Sequence, residues 1–238
     1  MSILITKFDG TKAPFNADKI NKSIERACKG LMDPISMVTQ IATETELTLY
    51  DGITTDEMDQ ATINATLQNV KDDIAYDKVA TRLLLKTIYR KVIGQYDKDD
   101  EDDVNNKHKE RFEHYIKEGV ADGKLDPRMV EKFDLKELAK VLDIERDELF
   151  QFAGLSTFLN RYALKNMDQT ARETPQYFFM RVAMGLSFNE ENPNLWARKF
   201  YNKMSRFEYI AGGSTNLGAG TAKPALSNCF LLEIQDDM

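Results

Sequence analysis

Three kinds of residue in this sequence of 238 residues could carry chemistry: two cysteines, two histidines, and lysines set beside a glycine turn. Cys28 and Cys229 stand far apart, and neither has a CxxC or metal-ligand neighbour. A thiol that cycles through a disulfide needs a second sulfur about 2 Å away. Cys28 falls on an apolar helical stripe and reads as core. Cys229 falls at the edge of an apolar stretch, where a cysteine is more often a buried filler than a reactive group. His108 and His114 are spaced i,i+6, which does not share a helical face, so they make no case for zinc. Lys7, Lys12 and Lys19 lie near Asp9-Gly10 and the start of a helix. Ammonium groups, with the backbone N–H groups of a turn and a helix N-terminus, can hold a polyphosphate. The plainer reading of the same lysines is a solvated hairpin.

Composition narrows the classes. The chain is 42% hydrophobic and 10% aromatic, enough for one large core or two small ones and too apolar for global disorder. Its formal net charge is −7, without a basic cluster, which argues against DNA as a partner. No apolar run is long enough to span a membrane and no signal-peptide pattern opens the chain. Sparse, isolated cysteines fit a reducing, cytoplasmic compartment.

The elements that must position these groups read as mostly α, in an α+β class. Residues 3–15 predict a hairpin turning at Asp9-Gly10, with Pro14 limiting its second strand to an edge. Asn16 is the expected N-cap of a first helix with a stripe of Ile20, Ile24, Ala27, Cys28 and Leu31, ending near Gly30. A second helix is expected from Ile35 to Tyr50. Thr54-x-x-Glu57 forms a capping box for a third, and a fourth runs from Asp77 to Lys91 and ends at Gly94. Asp97 to Asp103 holds six acids and one lysine and reads as a solvated linker, a metal-binding acidic loop being the lesser alternative. Helices are then expected over 105–119, 127–142, 145–163, 175–187 and 191–206, with Phe150, Phe158, Tyr177, Phe178, Phe179, Trp196, Phe200 and Phe207 as core material. Residues 211–221 hold too many glycines for a helix. Leu226 to Ile234 reads as a strand, and an apolar strand at a terminus needs a neighbour. The expected organisation is a nucleotide-binding unit at 1–96, a linker at 97–104, a helical domain at 105–208 and the start of a further domain at 209–238.

Three segments in order resemble an ATP-cone: Lys7-Phe8-Asp9-Gly10 with Pro14-Phe15-Asn16 and Lys19-Ile20, then Tyr50-Asp51-Gly52-Ile53-Thr54-Thr55, then Tyr89-Arg90-Lys91-Val92-Ile93-Gly94-Gln95-Tyr96. The resemblance implies ATP and dATP as allosteric effectors, carried with Mg, and makes Lys7, Asn16, Lys19, Thr55 and Lys91 the nucleotide contacts, with Arg90 the alternative to Lys91. Phe8 stands where many such cones have arginine, and Ala13 and Asp59 replace polar groups often used for the base or phosphates.

Two further blocks resemble the ribonucleotide reductase large (alpha) subunit. Glu173-Thr174-Pro175-Gln176-Tyr177-Phe178-Phe179-Met180-Arg181-Val182-Ala183 is similar to a helix start of that family, and reads as structural. Gly213 to Thr221, followed by Pro224-Ala225-Leu226-Ser227-Asn228-Cys229-Phe230-Leu231, resembles its glycine-rich loop and the first strand of its ten-stranded α/β barrel. The resemblance makes Cys229 one of two thiols that deliver reducing equivalents and become a disulfide at each turnover. It makes Ser214, Thr215 and Asn228 substrate contacts, and sets Asp236 near an acid that helps hold a specificity dNTP.

The implied function is reduction of ribonucleotides to deoxyribonucleotides by radical chemistry under ATP/dATP control. The partners implied are a C-terminal reductase polypeptide or the remainder of the subunit, a radical-generating small subunit that holds the radical cofactor, and a thioredoxin- or glutaredoxin-type reductant. The assembled subunit is expected to be a homo-oligomer. With one suitable cysteine the chain is expected to be inactive alone, either as half of a split reductase or as a piece of a longer subunit. The readings from other classes are a non-catalytic cone that senses nucleotides and a helical scaffold without a ligand.

Overall fold

The computed structural model describes residues 3–7, 10–94, 101–229 and 231–232. Residues 1–2, Phe8, Asp9, the stretch 95–100, Phe230 and residues 233–238 lie outside them. The chain divides into two units, Met1–Arg90 with Phe150–Ser156, and Lys91–Leu149 with Thr157–Met238.

In the first unit, strands β1 (Leu4–Thr6) and β2 (Lys12–Pro14) pair antiparallel, Ile5 opposite Ala13. Helix α1 (Ala17–Cys28) starts where the Asn16 carboxamide accepts from the Asp18 N–H at 2.9 Å, as its residue type predicts. Its last carbonyls, on Ala27 and Lys29, accept from the Arg82 guanidinium. Helix α2 (Pro34–Glu46) is capped by Asp33 and opens on Pro34. It ends one turn before the expected Tyr50. Helix α3 (Thr55–Gln68) carries the complete Thr54/Glu57 capping box, and α4 (Ala75–Ile93) is longer than its apolar pattern suggests. α1 packs on α2 and α2 on α3. Ile24, Ile41, Ile63, Val79 and Ile88 fill the core. Cys28 is fully buried there, and burial pushes its thiol up to about 11, so it is an inert core residue.

The second unit is built on α5 (Glu101–Ala121) and α9 (Pro175–Leu186). Part of the expected acidic linker is helical: α5 begins at Glu101 and Val104 is already buried. The helix expected over 127–142 is two short ones, α6 (Arg128–Glu131) and α7 (Leu135–Lys140). Asp134 breaks it by capping Glu137 while its own N–H donates to Asn194.

The helix expected over 145–163 is also broken, into a 3-10 turn (Ile144–Leu149), α8 (Phe152–Thr157) and a π turn (Phe158–Tyr162). The start of α8, in the first unit, is capped by Asp77 of α4, a tertiary contact no local pattern encodes. Helix α10 (Pro193–Ser205) packs on α9. Trp196 and Phe200, expected in the core, are only half-buried, and Phe207 is exposed at a positive φ. Among the described residues, no helix is long and apolar enough to cross a membrane.

His108 sits at 0% exposure on α5, its Nε2 2.8 Å from the Thr174 hydroxyl and its ring 4.3 Å from that of Tyr177. Burial, aided by Lys109, holds its pKa down to about 3. An unfolded histidine titrates near 6.5. Below that pH the unfolded chain takes up a proton that the folded chain refuses, so stability is lost as pH falls from about 6.5 toward 3. The steepest contribution is about 1.4 kcal/mol per pH unit. Urea unfolding of the chain between pH 7 and 5 should show this decline, and His108→Gln should flatten it.

Candidate functional site

In the first unit, β1 is held on its second side by the segment before α3. The Leu4 N–H donates to Asp51 Oδ1 at 2.8 Å, the Gly52 N–H to the Leu4 carbonyl at 2.9 Å, and the Thr6 N–H to the Ile53 carbonyl at 2.9 Å. This brings Thr55, at the first turn of α3, to the hairpin: its hydroxyl donates to the Thr6 carbonyl at 3.4 Å, one residue before Lys7. The Lys7 backbone closes the turn, its N–H donating to Thr11 and its carbonyl accepting from Gly10. Lys7, Lys12 and Lys19 are exposed.

Behind Thr55 lies a charged seam between α3 and α4. Arg90 meets Asp56 and Asp59 at 2.6 Å each, and Lys86 meets Asp59 at 3.2 Å and the Ser23 hydroxyl of α1 at 2.8 Å. The Asp59 side chain is 13% exposed, so the seam is partly shielded from solvent. Its carboxylate stands against the two α4 cations, an acid where the resemblance leads one to expect a nucleotide-facing polar group. Lys91, within the second unit, lines a separate pocket of about 270 Å³ with Arg111, Tyr115, Glu118, Asp122 and Arg172. The Arg172 guanidinium there is already paired with Asp122 at 2.7 Å.

In the second unit the glycine-rich segment is helical over Gly213–Gly218 (α11), against the expectation from its composition. Tertiary groups supply what propensity lacks. At its N-terminal end the Ser214 N–H donates to Asn228 Oδ1 at 2.9 Å, and the Thr215 hydroxyl to the Leu226 carbonyl at 3.4 Å. A Cβ on Gly212 would stand 2.4 Å from the Asn228 carboxamide, so a larger residue there would displace that side chain from the Ser214 N–H. The structure therefore gathers Ser214, Thr215 and Asn228, with Cys229 next in the chain and exposed.

The strand expected over Leu226–Ile234 is not formed by its described residues, and Leu231 and Leu232 are 100% and 87% exposed. An extended apolar segment has no ladder to join without a neighbouring strand.

Residues 3–91 match the family model of the ATP cone domain, and residues 148–224 that of the ribonucleotide reductase all-alpha domain. The chain is 33% identical over 238 residues to a ribonucleoside-diphosphate reductase subunit alpha of Chlamydia pneumoniae, covering 99% of this chain and 22% of that relative. It is 31% identical to the subunit alpha of Helicobacter pylori over 237 residues, 99% of this chain and 28% of the relative. To ribonucleoside-diphosphate reductase 1 subunit alpha of Escherichia coli it is 25% identical over 244 residues, covering 100% of this chain and 30% of the relative. This chain belongs to the ribonucleotide reductase alpha-subunit family.

The chain spans between 22% and 30% of the length of these relatives. Both family models fall on the segments already described: the cone on the hairpin and its helices, the all-alpha domain on the π turn, α9, α10 and α11. Among the described residues, no group of three or more His, Cys, Asp or Glu could hold a metal. Asp236 lies outside the described residues.

Sequence reasoning missed Lys86 and Ser23 in the cone seam. The i,i+4 pair Lys86/Arg90 facing the i,i+3 pair Asp56/Asp59 is a legible signal for the lysine; nothing local marks Ser23. It also treated the Glu173-Thr174-Pro175 helix entry as plain structure. Thr174 does cap α9, but Glu173 is fully buried and accepts from the Tyr115 hydroxyl, from the Leu164 N–H at 2.9 Å and from Arg181 Nε at 2.6 Å. The available signal was an arginine inside the apolar run Tyr177 to Ala183, since unpaired charge is rarely fully buried.

Proposed function

We propose that this chain supplies the nucleotide-sensing cone and part of the substrate-facing surface of a ribonucleotide reductase. Reduction of a ribonucleotide to a deoxyribonucleotide consumes two electrons and two protons and releases water. Two thiols supply both as they close to a disulfide. Cys229 is one of them, and its partner sulfur comes from reductase sequence beyond this chain, on the same or a separate polypeptide. Ser214, Thr215 and Asn228 contact the substrate through hydroxyls, carboxamide and the N–H groups at the start of α11. A radical-generating small subunit starts the reaction, and a thioredoxin- or glutaredoxin-type protein reopens the disulfide. The observation that carries this reading is the Ser214–Asn228 hydrogen bond at 2.9 Å, which holds the polar end of α11 beside an exposed cysteine.

In the cone, Lys7, Lys19, Asn16 and Thr55 take the triphosphate of ATP or dATP with its Mg, as a specific case of the nucleotide effector binding that the domain supports. Arg90 reaches the phosphates only by exchanging a carboxylate of Asp56 or Asp59, whereas Lys91 lines the pocket of the second unit. Calorimetry with Mg-ATP and Mg-dATP tests this. Lys7→Ala and Lys19→Ala should each weaken binding about tenfold or more, the scale of a lost charge-assisted hydrogen bond. A wild-type chain that binds neither nucleotide at millimolar concentration would remove the cone from the proposal.

A further inference from the structure

Helix α9 contains one charged side chain, Arg181, and it is fully buried. Its guanidinium faces two ways. Toward α5 it meets Glu173, through Nε at 2.6 Å and Nη2 at 3.3 Å, and Glu173 is held in turn by the Tyr115 hydroxyl. Toward the glycine-rich segment it donates to the Ala219 carbonyl at 2.7 Å and the Asn216 carbonyl at 3.3 Å. Those are carbonyls at the C-terminal end of α11, where a helix leaves acceptors without partners and carries negative dipole charge. A cation from a neighbouring helix therefore closes one end of α11, while Asn228 closes the other at the Ser214 N–H.

The approach of α9 to this segment is close enough to require glycine on both sides. A Cβ on Gly220, which has φ +77°, would lie 2.8 Å from the Arg181 carbonyl and 2.9 Å from its side chain; a Cβ on Gly185 would lie 2.2 Å from the Gly220 nitrogen. The segment is further pinned by the Asp126 N–H donating to the Gly220 carbonyl at 3.1 Å. A six-residue helix of this composition would not hold its shape alone. The fork of Arg181 holds its C-terminal end.

We propose that Arg181 is a positioning residue for ribonucleotide binding: through the Asn216 and Ala219 carbonyls it fixes the direction of α11 and thus the placement of Ser214 and Thr215, with Glu173 and Tyr115 aiming its guanidinium. This rests on the reading of Ser214, Thr215, Asn228 and Cys229 as the substrate-facing set. Lysine at this position keeps the charge but has a single nitrogen, which cannot span a carboxylate and two carbonyls.

The test is made in the reductase assembled from this chain and the remaining barrel sequence. Arg181→Lys should raise KM for the ribonucleotide about tenfold, with kcat changed less than about threefold and the half-saturating ATP concentration unchanged, the pattern of lost substrate binding. A wild-type KM in a variant that melts like the wild type would show that Arg181 only packs, and the proposal would be wrong. Where Arg181→Lys fails to fold, Tyr115→Phe decides: a KM raised about threefold supports the proposal and an unchanged KM overturns it. Cys229→Ser, assayed alongside, separates the two levels. If that variant turns over normally, the reading of the site fails; if it is dead while both other variants keep a wild-type KM, only the role of Arg181 fails.

Discussion

Cys229→Ser in the assembled reductase is expected to cut dithiol-driven deoxyribonucleotide formation at least about a thousandfold, the scale on which loss of an indispensable reacting group shows. A serine hydroxyl preserves the size and polarity of the side chain but cannot give up an electron pair to form a disulfide. The exposed position of Cys229 makes the substitution mild for folding. Nucleotide binding by the cone should be unchanged, which distinguishes lost chemistry from lost structure. Cys28→Ser is expected to behave in the opposite way, disturbing the cone core in which that thiol is buried and leaving turnover chemistry in place.

Glu173→Gln is expected to destabilise the second unit by about 3–5 kcal/mol, the cost of leaving one member of a buried ion pair without its counter-charge. Glu173 and Arg181 are both at 0% exposure, 2.6 Å apart, so solvent cannot replace the lost partner. The carboxylate also accepts from Tyr115 and from the Leu164 N–H, and an amide in its place turns one acceptor into a donor facing other donors. The double variant Glu173→Gln with Arg181→Met should lose less than the sum of its parts, because it removes the stranded charge. Urea unfolding of the four chains gives the coupling directly. Additive losses would mean that the two groups do not depend on each other.

What the sequence made legible follows from how local each determinant is. Asn16, Thr54 with Glu57, and Thr174 with Pro175 cap helices within three residues of themselves, and all three starts are as expected. The apolar stripe of α1 and the hairpin are equally local. Errors cluster where a distant group intervenes. The start of α8 depends on Asp77, 75 residues away. The helix inside the glycine-rich run depends on Arg181 and Asn228, whereas composition alone argues for a loop. The expected strand after Leu226 depends on neighbours that no described residue supplies.

Of the candidate site, Ser214, Thr215 and Asn228 are gathered by hydrogen bonds across 11 to 14 residues, close enough for the motif to carry them. Arg90 and Lys91, adjacent in sequence, face different surroundings, an acidic seam and a mixed-charge pocket, because successive residues on a helix point in different directions. The alternation of Lys86 with Arg90 could have been read; Ser23, which joins them from α1, could not.

The most direct test of the account is a thiol map after one turnover. The reduced, assembled reductase is given ribonucleotide and effector without external dithiol, quenched in alkylating agent, and digested. The account predicts that the peptide bearing Cys229 is recovered disulfide-linked to a cysteine from outside this chain, in proportion to deoxyribonucleotide formed. Product formed while Cys229 is recovered alkylated and unlinked would contradict it.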